Sequence, residues 1–560
     1  MFRPSETSFD KAHVWHQLAW RQTSLLKLLI NTDGHHGELT VQYSPHAIAG
    51  TIMISEKSSI SYPDEEQPPS LQEPEPSPPT PAQEQQRGEE APEVDPNLVD
   101  WDEHDKENPK EWPFPRKIFI TVQLALLAVS ASLGSSIISP AENVFGPEMG
   151  VSREVSVLAV SLYVVGFAFG PVLWAPVSEI WGRRVSMLPA MFIMGLFSIG
   201  TATSKTATAI FVTRFFSGVF GSAPVSNVTA ALSDIWKPQH RGTAVAFYGL
   251  AVVGGPTLGP TIGAAITHSH LGWRWTEYIE AIFVFAVFVL VYFGLPELYA
   301  PVLLKWKARR LRAETGNMAL YHPHERLKLD FKSIMTKQLA RPLRFLFTEP
   351  IVTCIALYAS FVYALLYLTL EVFPIVFADI RGWGPVVSTL PFLALFVGVI
   401  GAVVINIGNQ PYYIRKCEAA NGKPVPEARL PPMAIGSAFF TTGLWLFGWT
   451  ASPDYHWIIP VIAASFIGCG FSVTFQQCIN FLVDSYGLYA ASATAANTFL
   501  RSLLGAAFPL VANPMFHKLG VAHAMSILGS LAVLALPVPF IFMKYGKKLR
   551  LMSKFAPSDR

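Results

Sequence analysis

The chain has 560 residues, of which 51% are hydrophobic and only 15% are charged, whereas a soluble chain usually carries about 25% charged residues. This deficit predicts that much of the chain lies in a membrane, and the net charge of +2 is too small to argue for a nucleic-acid partner. The four cysteines form no CxxC or Cys/His pattern, so neither a disulfide framework nor a metal site is expected.

The first 116 residues differ in composition from the rest of the chain. The stretch from Ser61 to Asn97 is dense in Pro, Glu and Gln and has almost no large apolar residues. Such a segment cannot bury enough surface to offset its chain entropy, so residues 1–116 are predicted to form a disordered tail. Met53 offers an alternative start, which leaves open whether residues 1–52 belong to the native protein.

Long apolar stretches recur from Lys117 onward, in two groups of six that are separated by the polar segment 295–348. A helix needs about 20 predominantly apolar residues to cross ~30 Å of hydrocarbon, and alternating strand-like segments are absent. The sequence therefore predicts twelve transmembrane helices, at 117–139, 155–178, 186–204, 206–232, 242–266, 275–294, 349–376, 386–408, 431–450, 457–483, 489–511 and 521–543.

Lys and Arg are distributed unequally between the loops on the two sides of these spans. One side holds Arg183, Arg184, the central segment and the C-terminal basic residues, and the other side holds few cations. Because basic loops stay in the cytoplasm, both termini and the central loop are predicted to be cytoplasmic. The predicted domains are the tail (1–116), a six-helix bundle (117–294), the central loop (295–348), a second six-helix bundle (349–544) and a C-terminal tail (545–560).

The second span ends in an abruptly charged stretch, GPVLWAPVSEIWGRR. Gly170 and Gly182 permit close backbone approach and tight turning. Glu179 and Arg183 are four residues apart and can pair if the helix continues. With Arg184, they predict a conformational gate that bonds neighbouring helix ends. The alternative is a topological anchor that only follows the bias of basic residues toward the cytoplasm.

Two further features lie in the fourth and fifth spans. Arg214 is several residues inside an apolar span, where a charge costs about 2.5–3.5 kcal/mol on insertion scales, so it either faces a partner or cavity or snorkels to the interface. The fifth span contains GGPTLGPTIGAA, whose prolines kink the helix and whose glycines admit a close neighbour. These residues predict a seal and pivot, or else an ordinary packing interface: Gly255, Pro256, Gly259, Pro260 and Gly263.

The second group of spans contains isolated polar residues. Glu371 interrupts the seventh span and is a candidate for binding a proton or a cationic substrate, unless it is only a water-exposed vestibule residue. Arg501 in the eleventh span is predicted to pair with Asp484 or with an anionic substrate group. Other polar residues either line a substrate cavity or form interhelical hydrogen bonds: Asn227, Gln476, Gln477, Asn480 and Asn497.

Taken together, these stretches resemble the major facilitator superfamily, in its twelve-span fungal drug:proton antiporter branch. GPVLWAPVSEIWGRR is similar to the family's signature between spans two and three, with Glu179 where many members have Asp. RFFSG resembles the span-four arginine motif, and GGPTLGPTIGAA resembles the span-five antiporter motif. The resemblance covers about residues 101–550 and implies two six-helix bundles, with a part for Arg214 in proton coupling.

The resemblance implies a proton-coupled exporter of small amphipathic organic compounds, which alternates access to a central site. No GxxxxGK[ST] loop occurs, so we expect the proton gradient and no cofactor to supply the energy, and we expect no enzymatic activity. The expected partners are the organic substrate, protons and the lipid bilayer, for a monomer most typical of the plasma membrane. A polyamine exporter of the same branch and a membrane sensor without transport are the alternatives.

Overall fold

The computed structural model describes residues 95–326, 340–487 and 490–553. In this part of the chain, twelve helical segments are long and apolar enough to cross a membrane, which confirms the predicted number of spans and the all-α fold. Helices 1 to 12 are Phe114–Glu148, Arg153–Trp181, Arg183–Thr203, Ala207–Ile235, Gln239–Thr267, Arg274–Gly294, Pro350–Ile380, Val387–Ala419, Pro426–Trp449, Ile458–Tyr486, Ser492–Leu519 and Val521–Leu551.

The ends of several helices differ from the predicted ends for local reasons. Regular α-helix in helix 1 ends at Gly134, before the predicted end at 139, and the Gly134 carbonyl accepts a hydrogen bond of 2.6 Å from Arg214. Helix 11 continues past the predicted end at 511, although Pro509 and Pro514 lie inside it. Apolar run length alone does not reveal where a side chain from another helix takes over a backbone carbonyl.

The helices pack in two groups of six. In the first group, helix 4 packs against helices 2 and 3, and helix 1 packs against helix 5. In the second group, helix 7 packs against helix 11, and helix 10 packs against helices 8 and 9. The two bundles meet where helix 2 contacts helix 11 and helix 5 contacts helix 8, and Tyr367 Oη donates a hydrogen bond of 3.0 Å across this interface to Ser135 Oγ.

The last part of the predicted tail is ordered rather than disordered. Lys307, on the helix Ala300–Thr315, donates hydrogen bonds of 2.7 and 2.8 Å to Asp102 and Asp105. Trp112 is buried, so the segment has the apolar anchor that the preceding acidic stretch lacks. The prediction of disorder is therefore wrong for 95–116, and the prediction for residues 1–94 lies outside the described residues.

Candidate functional site

The predicted gate lies where helix 2 ends and helix 3 begins, and its ion pair differs from the prediction. Arg183 Nε lies 2.8 Å from Asp234 Oδ2 at the end of helix 4, and Arg183 Nη1 donates to Ser178 Oγ at 2.6 Å. The predicted pairing of Arg183 with Glu179 is wrong, because Gly182 has a φ of 105° and breaks the helix between them. The i,i+4 geometry that the pairing requires is therefore absent.

Glu297, which the sequence analysis did not single out, completes this turn. Its carboxylate accepts hydrogen bonds from the backbone N–H groups of Arg183 at 2.8 Å and Arg184 at 3.1 Å. A carboxylate at a helix N-terminus satisfies free N–H groups and suits the helix dipole. A Cβ at Gly182 would lie 2.3 Å from the Glu297 carboxylate, so glycine is needed for both the turn and the close approach.

Gly170 has a different role from the rest of the predicted gate. A Cβ added there would lie 1.6 Å from Ser222 Oγ and 2.7 Å from the Val219 carbonyl oxygen. Gly170 therefore allows helix 2 to approach helix 4 closely within the first bundle. It lies several turns from Arg183, so it contributes to the packing of the helices rather than to the charged turn.

The second bundle contains the same kind of ion pair at the corresponding position. Arg429, at the start of helix 9, places Nε 3.0 Å from Asp484 Oδ2 at the end of helix 10, and Tyr413 Oη donates to the same oxygen at 2.8 Å. Arg429 at the start of helix 9 is therefore the structural counterpart of Arg183 at the start of helix 3.

Asp484 also joins the two bundles. Arg241, at the start of helix 5, forms a short ion pair with Asp484 Oδ1, and the Gln410 side chain donates to the Gln239 carbonyl oxygen at 2.7 Å. Asp484 is thus bound by two arginines and a tyrosine. The predicted pairing of Asp484 with Arg501 is wrong, because Asp484 is bound by Arg241, Arg429 and Tyr413 and forms no ion pair with Arg501. We call the end of the bundles that carries Arg183 and Asp484 the basic end.

Arg214 is fully buried and has several partners. It donates to the carbonyl oxygens of Gly134 and Ala159 at 2.6 and 3.0 Å, and its guanidinium carbon lies 4.4 Å from the centroid of the Tyr163 ring. Its Nη1 lies 3.2 Å from Glu277 Oε1. The snorkelling alternative does not fit, because no part of the side chain reaches an interface.

A second carboxyl group lies beside the same arginine. Glu280 Oε2 is 3.9 Å from Arg214 Nη1, and both Glu277 and Glu280 are fully buried. One arginine neutralises one carboxylate, so the second carboxyl would be an uncompensated buried charge unless it holds a proton. The sequence analysis missed this pair, although the i,i+3 spacing in RWTEYIEAIF at the start of helix 6 was a usable signal.

Glu371 lies at the opposite end of the bundle interface from Asp484. It is buried, with 5% of its surface exposed, so it is not the water-exposed vestibule residue of the alternative. Its side chain and that of Glu142 from helix 1 line one cavity of about 260 Å³, together with Arg153, His268 and Asp379. We call this the acidic end. Glu142 was missed, because it follows the predicted end of the first span.

The glycines of helix 5 pack against helix 1 of the same bundle. Added Cβ atoms at Gly255 and Gly259 would lie 2.2 and 2.1 Å from serine hydroxyls of helix 1, and one at Gly263 would lie 2.0 Å from a carbonyl oxygen there. Pro256 and Pro260 lie inside the helix. Helix 5 also reaches the other bundle, where the Thr261 hydroxyl donates to the Thr389 carbonyl oxygen at 3.0 Å. A pivot at these residues stays a prediction.

A small cavity of about 110 Å³ lies between the two bundles. Asn227, Asn480 and Arg501 line it, as predicted for a substrate cavity, and so do Tyr248 and Phe475. The other predicted cavity residues do not line it. Gln476 and Gln477 hydrogen-bond to Asn406 of helix 8 at 2.8 and 2.6 Å, which matches the interhelical alternative, and Asn497 is buried elsewhere.

Comparison with known proteins decides the family. A model of the Major Facilitator Superfamily matches residues 124–509. The chain belongs to this superfamily. It is 44% identical over 462 residues to "Efflux pump bik6" of Gibberella fujikuroi, which covers 82% of this chain and 95% of that protein. It is 41% identical over 467 residues to "Major facilitator superfamily multidrug transporter FLU1" of Candida albicans, which covers 82% and 76%.

A third relative of this major facilitator protein is "Citrinin biosynthesis cluster MFS transporter mrr1" of Monascus ruber, 40% identical over 479 residues, which covers 85% of this chain and 96% of that protein. Among solved structures, the proton:xylose symporter XylE superposes with a TM-score of 0.57 at 16% identity, covering 78% of this chain and 96% of that chain. The latter similarity supports the fold alone. Family and relatives indicate a multi-pass membrane transporter rather than an enzyme.

Proposed function

We propose that this protein is a proton-coupled exporter of small amphipathic organic compounds that works by alternating access. The observation that carries the proposal is that the two bundles are joined differently at the two ends of their interface, and that a cavity lies between them and extends to Arg241 at the basic end. At the basic end they are joined by the ion pair of Arg241 with Asp484. At the acidic end, Glu142 and Glu371 come from opposite bundles and share a cavity. Different contacts at the two ends allow one end to open while the other stays closed, as a rocking-bundle mechanism requires.

The direction of transport is supported by the relatives and by the distribution of charge. One relative bears the name of an efflux pump, a second that of a multidrug transporter and a third that of a transporter from a citrinin biosynthesis cluster. Because basic residues favour the cytoplasmic side, we place the basic end and both termini in the cytoplasm. The acidic end then faces outward, where a plasma-membrane exporter receives its protons.

The acidic end supplies the proton switch. Glu142 and Glu371 repel each other across the interface when both are ionised, and a proton bound to either one removes this repulsion. Arg153 and His268 are the cationic or titratable groups that line the same cavity, together with the carboxylate Asp379. Proton uptake from outside thus favours closure of the acidic end, and proton loss favours its opening.

The buried cluster of the first bundle supplies a second proton position. Arg214 contacts Glu277 directly, and charge balance leaves the proton on Glu280. Arg214 also binds the end of helix 1 through the Gly134 carbonyl, and helix 1 carries Glu142 further along the chain. A change in the protonation of Glu280 would therefore alter the contacts of Arg214 with helix 1, the helix that carries Glu142.

The test is accumulation of fluorescent aromatic compounds, one neutral, one anionic and one cationic, in cells that express the protein. We expect the wild type to lower the accumulation of at least one of them, a protonophore to restore it, and Glu371→Gln to abolish the effect. Asp379→Asn is the matched control, because Asp379 lines the same cavity but is exposed. Efflux that is insensitive to both the protonophore and Glu371→Gln would contradict proton coupling.

One observation favours the polyamine alternative. Besides Asp484, which is bound by two arginines, four buried carboxyl groups lie in the described helices, at Glu142, Glu277, Glu280 and Glu371, whereas the sequence analysis identified mainly Glu371. Cationic substrates need such groups, but none of the four lines the central cavity, where Arg501 contributes a positive charge. Spermidine that competes with the exported compound would support the polyamine alternative.

A further inference from the structure

Arg501 is a buried charge that the described part of the protein leaves incompletely bound. The side chain belongs to helix 11, is 3% exposed and lines the central cavity between the bundles. Neither its Nε nor its Nη1 has a hydrogen-bond partner among the described residues. A guanidinium is always protonated in proteins and presents five donors, so at this depth two nitrogens remain unsatisfied while carrying a full charge.

The contacts that Arg501 does make are with aromatic rings. Its guanidinium carbon lies 4.7 Å from the ring centroids of both Tyr363 and Phe475. Cation–π contacts of this kind recover part of the cost of burial, but they leave the in-plane N–H donors unused. The rings therefore hold the guanidinium in place without satisfying its hydrogen-bonding capacity.

No carboxylate of the described chain supplies the missing partner. Asp484, the nearest candidate from the sequence, is bound by Arg241, Arg429 and Tyr413. Glu179 also lines the cavity, but Arg501 forms no ion pair within 4 Å among the residues described. The guanidinium of Arg501 thus lies in the cavity without a direct ion-pair partner among the described residues.

We propose that Arg501 binds an anionic group of the transported compound, so that the substrates are organic anions with an aromatic body. A carboxylate or an ionised phenol would accept hydrogen bonds from Nε and Nη1, and Phe475 would pack against the ring. The inference rests on the proposed function in one respect, since it places the substrate in the central cavity. It excludes cations such as polyamines from this site by charge repulsion.

The cavity is closed down in this arrangement of the bundles. About 110 Å³ is well below the roughly 300–1,000 Å³ of pockets that hold drug-sized ligands, so the bundles must separate before an aromatic acid such as the probe used below can bind. Asn480 lines the same space and adds a neutral polar group beside the charge, which suits compounds that carry hydroxyl or carbonyl groups in addition to the acid.

The test is equilibrium binding of three compounds with one skeleton and different charge to the purified full-length protein in detergent, without a proton gradient. The probes are 2-naphthoate, 2-naphthamide and 2-naphthylmethylammonium. We expect 2-naphthoate to bind roughly 10- to 100-fold more tightly than the amide, which is the range for a charge-assisted hydrogen bond. We expect Arg501→Gln to remove this preference and Arg501→Lys to keep part of it.

Arg116→Gln is the control, because it removes the same charge from an exposed arginine outside the cavity; its preference should equal that of the wild type. The proposal is overturned if the wild type binds none of the probes, binds the amide or ammonium as tightly as 2-naphthoate, or keeps its preference in Arg501→Gln. Because binding is measured without a proton gradient, it tests the anion site even if the protein proves not to be a proton-coupled exporter. Likewise, a failure to bind 2-naphthoate would not by itself contradict proton-coupled export.

Discussion

Two buried arginines, one in each bundle, have opposite surroundings. Arg214 in the first bundle binds three backbone carbonyls, a carboxylate and an aromatic ring. Arg501 in the second bundle stacks against two rings and has two nitrogens without partners among the described residues. Burial alone therefore does not distinguish a structural charge from one that is available to a ligand. The two kinds of charge differ in whether every nitrogen of the guanidinium has a hydrogen-bond partner. This difference can be tested by substitution of each arginine.

The largest effect is expected for Arg214→Gln. The substitution leaves Glu277 buried without its cation and the Gly134 carbonyl without its donor, and breaking a buried pair in this way costs about 3–5 kcal/mol. The measurement is the thermal unfolding midpoint of the purified protein in detergent. The double variant Arg214→Gln/Glu277→Gln should recover part of the loss, and a single variant as stable as the wild type would break the comparison.

A smaller loss is expected for Arg429→Gln. Asp484 keeps Arg241 and Tyr413 as partners, so the variant loses the charge-assisted hydrogen bond to Asp484, at about 1.5–3 kcal/mol, and a longer one to Gln410, but it leaves no carboxylate without a cation. Arg183→Gln is the matched variant of the first bundle, where Asp234 has no second arginine partner among the described residues. Thermal unfolding should show that Arg183→Gln is the more destabilising of the two. The reverse order would show that the number of partners of the carboxylate does not predict the loss of stability.

A change of less than about 1 kcal/mol is expected for Arg501→Gln, because the loss of the ring contacts is offset by removal of a buried charge whose desolvation no ion pair compensates. The same thermal unfolding assay measures it without ligand. A loss as large as that of Arg214→Gln would mean that Arg501 is a structural residue like Arg214. The contrast between the two arginines would then have no functional meaning.

An exposed ion pair provides the reference for the smallest expected loss of stability among the arginine variants. Arg274 and Glu148 are 2.7 Å apart, and their side chains are 34% and 43% exposed. Exposed pairs contribute about 0–1 kcal/mol, so Arg274→Gln should shift the unfolding midpoint least among the arginine variants. High salt should weaken this pair and leave the loss in Arg214→Gln unchanged.

The weakest predicted effect concerns pH at the segment before helix 1. Partial burial opposes ionisation of Asp105, but the hydrogen bond and charge of Lys307 outweigh it and hold the pKa below 3.8. A carboxyl with a lowered pKa stabilises the folded form above its unfolded pKa and loses this contribution as the pH falls through the folded pKa. Fluorescence of Trp101 should therefore change below about pH 4, and at a higher pH in Lys307→Gln.

Several features of this protein followed from the sequence because they depend on local composition. Apolar run length gave twelve helices, and the basic residues of one set of loops marked the basic end. Arg214 and Glu371 stood out because a charge inside an apolar run is costly wherever the helix lies. Motif resemblance pointed to the superfamily that the family model matches.

Partner choice was decided only by tertiary structure. The sequence analysis offered Glu179 as the partner of Arg183 if the helix continued, and Asp484 or an anionic substrate group as the partner of Arg501. Helix packing instead gives Arg183 to Asp234 and Asp484 to Arg241 and Arg429. Ion pairs act over a few ångströms, and sequence spacing fixes such distances only within one unbroken helix. The chain composition thus placed the charges in the membrane, and the packing of separate helices decided which charges were neutralised and that Arg501 was left without an ion-pair partner among the described residues.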